Sequence, residues 1–106
     1  GGGGVILALA AAVALQAAAT PTDDIVVIGQ RLARLSASVT RDAAGRYHCA
    51  LDGSSGNGKL DAALCRVATD CVRKGATEQG AVSACVDRRK PRLLADLRAE
   101  LAKVRQ

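Results

Sequence analysis

The residues able to do chemistry are few, and four of them are cysteines: Cys49, Cys65, Cys71 and Cys85. An even set of thiols serves either as two disulfides or as metal ligands. The gaps of 15, 5 and 13 intervening residues contain no Cys-x2-Cys pair of the zinc modules and no redox Cys-x-x-Cys, and His48 is the sole histidine. Disulfides are the expected state. Three connectivities exist for four cysteines, and Cys49–Cys65 with Cys71–Cys85 is favoured. The first ties a strand to a helix across a Gly/Ser loop, and the second closes a helical hairpin through Gly75. Each closes a loop of roughly 15 residues, for which chain entropy gives about 3 kcal/mol.

The other candidates do not combine. His48 falls on the outward side of its strand, where a solvated side chain is expected. Ser54 and Ser55 lack the strand–elbow–helix setting of a Gly-x-Ser-x-Gly nucleophile. The glycine-rich run Gly53–Gly58 lacks the Lys-Ser/Thr of a phosphate-binding loop, although a helix N-terminus there could hold an anion weakly. No two carboxylates form an acid/base pair. The sequence therefore predicts no catalytic residue, cofactor, metal or small-molecule substrate, and hence no enzyme.

Residues 45–71 must position the cysteines. Tyr47, Cys49 and Leu51 alternate with Arg46, His48 and Ala50, the period of a half-buried strand. Asp52 to Gly58 breaks that pattern with three glycines and with side chains that bond their own backbone. Asn57 is placed to cap the next helix, in which Leu60, Leu64, Val67, Ala68 and Cys71 make one apolar stripe with Cys65 on its flank. Upstream, Leu35, Ala37 and Val39 form a second half-buried strand, joined through Arg41–Gly45. Closing that hairpin about Ala43 sets Val39 opposite Tyr47 and Ala37 opposite Cys49. Asp24–Gly29, with its run Ile-Val-Val-Ile, reads as a short third strand. Downstream, Thr77 can cap a short helix carrying Val82, Cys85 and Val86, which stops before Pro91. A last basic helix over 91–106 is expected, with Pro91 in its first turn and Leu93, Leu94, Leu97, Leu101 and Val104 on one side.

The string Cys49-x4-Ser54-Ser55-Gly56-Asn57-x2-Leu60-Asp61-x3-Cys65 resembles the periplasmic C-terminal domain of TonB-type energy transducers, in which a strand, a Ser-Ser-Gly-(Asp/Asn) loop and a helix opening in Leu-Asp follow one another. The likeness covers residues 45–65. It implies a periplasmic hairpin-plus-helix unit. The family continues into a strand with an Arg-Phe-x-Pro-Ala-like sequence, which this phenylalanine-free chain lacks. The resemblance thus implies the local fold and not the energy-transducing role. Asp24 to Arg31 also resembles the segment that opens the mature part of many TonB-dependent receptors, a shorter likeness for which a strand of the protein's own sheet is the simpler reading.

Residues 5–19 form an uncharged apolar run of signal-peptide length, followed by a small-residue site at Ala17–Ala19. Residues 1–20 are expected to be a signal peptide or, if uncleaved, an N-terminal membrane helix. Residues 21–106 then make a single small domain. Tyr47 is its only aromatic residue, so its core must be built from Leu, Val and Ala and needs the disulfides as staples. Residues 21–87 carry eight basic and eight acidic side chains, whereas residues 88–106 carry seven basic and two acidic. The whole excess of +5 thus sits at the C-terminus. Arg88, Arg89, Lys90, Arg92 and Arg98 are candidate contacts to an anionic surface such as phospholipid headgroups. Nucleic acid is not expected, because aromatic stacking platforms are missing.

The expected fold is α+β: an antiparallel hairpin or three-stranded sheet covered by a helix, then a helical C-terminal part, with two disulfides. The expected function is a non-catalytic periplasmic or secreted interaction module whose partner is an envelope protein or membrane complex. The alternative is an accessory subunit of an inner-membrane complex, held by an uncleaved N-terminus with the domain on the periplasmic side.

Overall fold

The computed structural model describes residues 21–104. Its elements run α1 (Pro21–Arg34), β1 (Ala37–Arg41), β2 (Tyr47–Leu51), α2 (Gly58–Arg73) and α3 (Gln79–Val104). The class is α+β with a two-stranded antiparallel sheet. Helix α2 lies at the centre, packed against both strands and along α3, while α1 and β1 also meet α3. The leader expected over residues 1–20 lies outside the described residues.

Helix α2 forms where the stripe requires it. Leu60, Leu64, Val67, Ala68 and Cys71 are its buried residues. At its start Asn57 is extended and its side chain accepts from the Leu60 N–H at 2.9 Å. At its end Gly75 takes φ +114°, and its N–H bonds the Val72 carbonyl while the Ala76 N–H bonds that of Cys71. Those two bonds satisfy carbonyls a helix end otherwise leaves open, and glycine adopts the required conformation without strain. The core joins these residues to Leu32, Leu35, Ala37, Val82, Val86 and Leu97.

The hairpin has both inward faces together, but its register differs from expectation. Val39 stands opposite Cys49, and Ala37 opposite Leu51. The turn pivots about Ala44 instead of Ala43, because Gly45 supplies φ +83° and Asp42 closes the loop. The Asp42 N–H bonds the Arg46 carbonyl, and the Arg46 N–H bonds the Asp42 carboxylate at 2.9 Å. Moving the pivot by one residue shifts pairing by two, which preserves the face each side chain occupies.

Two elements overturn the sequence reading. Residues 24–29 are helical, not a third strand, so no extended segment is offered there for strand pairing. Ile25, Ile28 and Leu32 also recur at helical spacing and pack on the core, and that burial outweighs the preference of a β-branched run for strand. Pro21 suits a first helical turn, and Arg31 and Arg34 complement the negative end of the helix dipole.

The second correction concerns the C-terminal part. It is one continuous helix, beginning at Gln79 past Thr77 and carrying Pro91 in its interior. Proline deprives the carbonyl four residues back of its donor. That residue is Asp87, which is exposed, as is Pro91, so the freed carbonyl lies on the solvent side. Buried Val86 and Lys90 before the proline and buried Leu97 after it anchor both halves to the body.

Candidate interaction surface

The cysteines pair as Cys49–Cys65 and Cys71–Cys85, with Cα–Cα separations of 5.7 and 6.1 Å. Cys65 on the flank of α2 reaches the sheet, whereas Cys71, on the buried stripe, reaches α3. No thiol is left free. Among the described residues no three His, Cys, Asp or Glu side chains gather as metal ligands, and no helix is long and apolar enough to cross a membrane.

The Ser-Ser-Gly-Asn loop is organised by Asp61. Its Oδ1 accepts from the Ser55 hydroxyl at 2.6 Å and from the Ser55 N–H at 2.9 Å, and its Oδ2 accepts from the Ser54 hydroxyl at 2.5 Å. Burial pushes the Asp61 carboxyl up, but the three donors outweigh it and hold the group below its ordinary range. The hydroxyl oxygens in turn accept from the backbone: Ser54 from the Gly56 N–H at 3.0 Å, Ser55 from the Asn57 N–H at 3.2 Å. Ser55 is 0 % exposed, so no substrate carbonyl can reach its oxygen. The loop is a closed knot that fixes the start of α2. From the sequence, only the Leu-Asp of the resemblance touched Asp61, without giving it this role.

His48 is exposed and holds the Asp42 carboxylate at 2.7 Å, and that bond, with the Arg46 N–H, keeps the Asp42 carboxyl below its ordinary range. The pair braces the hairpin turn. Beside it, the guanidinium carbons of Arg41 and Arg73 stand 5.4 and 5.1 Å from the ring centre of Tyr47, within cation–π range. This joins the last turn of α2 to the sheet.

The basic run does not form one patch. Lys90 is only 7 % exposed and turns inward: its ammonium donates to the carbonyls of Leu35 at 2.7 Å and Ala33 at 3.4 Å and pairs with Asp87 at 2.9 Å. It thereby satisfies carbonyls at the end of α1 with a charge the dipole favours. Arg89 binds Asp70 on α2 at 2.6 Å. With Lys74 at 3.0 Å from the same oxygen, that bond lowers the Asp70 carboxyl below its ordinary range. Arg88, Arg92 and Arg98 remain exposed. Arg88 and Arg92 share a face of α3, but Arg98 lies about 120° round the helix from Arg92. Of the five expected surface contacts Lys90 is therefore internal, Arg89 is half-exposed and engaged by Asp70, and the remaining three do not share one face.

Apolar surface is concentrated elsewhere. Among the described residues the exposed large hydrophobic ones are Val26, Val27 and Val104, at 49, 41 and 84 %. A groove where the start of α1 meets the end of α3 is lined by Asp24, Val27, Ile28, Arg31, Leu101 and Val104. A second, between α2 and α3, is rimmed by charge: Lys59, Arg66, Asp96 and Glu100. The sequence reading put Val104 on the apolar side of the last helix but missed that α1 brings Val27 alongside it.

The chain matches no family model, no curated protein and no solved structure.

Proposed function

We propose that this chain is an exported interaction module that performs no chemistry of its own and works by presenting a disulfide-braced surface to an envelope protein or membrane complex. The observation that carries this reading is the pairing of all four cysteines, each disulfide tying α2 to a different element. Such bonds persist in oxidising compartments, and a core this thin depends on them. The TonB-type likeness of residues 45–65, which fall on β2, the Ser-Ser-Gly-Asn loop and the first half of α2, adds support for a periplasmic setting. After α2 comes α3 in place of the Arg-Phe-x-Pro-Ala-like strand with which the family continues, so no energy-transducing role is proposed.

Acid-quenched thiol alkylation in the native host tests the reading. Four masked thiols in the exported fraction, with co-purification of an envelope protein, are expected. Four free thiols in the cytoplasmic fraction would sink it.

A second reading, an accessory subunit tethered by residues 1–20, is favoured by one observation. The exposed valines cluster around α1, the helix that directly continues from that uncharged run.

A further inference from the structure

We propose that the end of the molecule where α1 begins and α3 finishes seats on a lipid bilayer, with Val26, Val27 and Val104 entering its interfacial region. The inference rests on the tethered form of the reading above and adds the orientation of the domain. Two independent features meet at this end, an apolar surface and the entry of the uncharged run. The exposed large hydrophobic side chains among the described residues are there, two of them on α1 and one on the last residue of α3. The groove that joins Val27 to Val104 is floored by Ile28 and Leu101. Finally, the uncharged residues 1–19 enter the domain here, with only residues 20–23 between them and Asp24. Pro21 to Asp23 are already part of α1, so that link spans less than about 10 Å. A bilayer that takes up the apolar run therefore holds this end against its surface.

Charge does not choose this face. The charged side chains of this groove are Asp24 and Arg31, one of each sign, whereas Arg88 and Arg92 lie farther back along α3. The contact is apolar, so it does not need anionic headgroups. Apolar side chains of a surface-lying helix enter only the boundary between headgroups and acyl chains, which matches a cluster of three valines better than a spanning segment does.

The chain contains no tryptophan, so single substitutions make clean fluorescent reporters. Full-length Val27→Trp, Val104→Trp and Ala84→Trp proteins would be reconstituted with brominated phosphatidylcholine vesicles, with and without phosphatidylglycerol. Ala84 is exposed on α3, about 30 Å along the helix from Val104. The expected result is a blue shift and loss of most emission for the two valine reporters, none for Ala84→Trp, and no dependence on phosphatidylglycerol. Several results would overturn the proposal. One is failure to float with vesicles, or flotation with Val27→Trp and Val104→Trp unquenched. Another is quenching that requires phosphatidylglycerol and disappears on replacing Arg88 and Arg92 by Gln, which would move the contact to the basic face. A blue shift of both reporters before lipid is added would place residues 1–19 or a second copy in the groove. Thiol trapping reads the compartment separately, so failure of the orientation and failure of the export reading are told apart.

Discussion

Two parts of this small domain are held by different physics. The hairpin, α2 and the first half of α3 are joined by two covalent links and a knot of hydrogen bonds around Asp61, and α2 is capped at both ends. Helix α1, by contrast, has no covalent bond to the rest apart from the backbone. It is held by Ile25, Ile28 and Leu32 on the core, by the close approach of Gly29 to Leu94, and by the Lys90 ammonium on its final carbonyls. The difference teaches that the stapled body is the scaffold and α1 the adjustable element. The part nearest the expected tether is the part the disulfides leave free.

Breaking the Cys71–Cys85 link should have the largest effect. Replacing both residues by Ala removes a cross-link of about 3 kcal/mol and underpacks a site where Cys71 is buried. Denaturant unfolding should show a collapse of the whole body, α1 included. A Lys90→Ala change should cost less, about 1–3 kcal/mol, because it leaves the buried Leu35 carbonyl without its donor. Its signature is selective: amide exchange should quicken in α1 while α2 keeps its protection. Equal quickening in both would erase the proposed contrast.

Acid is the next probe. The Asp61 carboxyl is lower in the folded protein than its ordinary 3.8, so its contribution is present above that value and is lost as pH falls through the folded value. Asp70 is lowered in the same sense by Arg89 and Lys74. Stability should therefore drop below about pH 4, and Asp61→Asn should flatten that drop while lowering stability at neutral pH by about 1–2 kcal/mol. An unchanged acid profile in Asp61→Asn would show that the knot contributes little to the scaffold. The smallest effect belongs to Gly29→Ala. A Cβ there meets Leu94 Cδ2 at 3.1 Å, so the leucine must shift by a few tenths of an ångström. The helix gains up to about 1 kcal/mol of propensity against that strain. A net change within about 1 kcal/mol, confined to α1, is expected from thermal unfolding with exchange.

The stapled body was readable because its signals are local and agree with one another. Asn57, the stripe from Leu60 to Cys71 and Gly75 bracket α2 without reference to any other element. The favoured disulfide pairing is the observed one, but a stripe cysteine and a flank cysteine facing different neighbours exclude only Cys65–Cys71. The choice between the other two connectivities rests on which element covers each face of α2. Helix α1 was not readable in that way. Ile25-Val26-Val27-Ile28 fits both a strand and one side of a helix, and only the surface offered by α3 decides between them. Lys90 was misread for a related reason. Within Arg88–Arg92 nothing local separates the one cation that finds carbonyls 55 and 57 residues earlier from those that stay in water. The third strand and the helix break at Pro91 failed on the same ground, long-range packing overruling local preference.

The order of the cysteines along the chain has its own consequence. The Cys49–Cys65 loop lies wholly ahead of the Cys71–Cys85 loop along the chain, so neither encloses or crosses the other. A chain threaded N-terminus first into an oxidising compartment exposes the first two thiols together before the third arrives. Joining each newly exposed thiol to the one still waiting gives the native connectivity at once. Maturation of this domain should therefore need an oxidant but no isomerase to reshuffle its bonds.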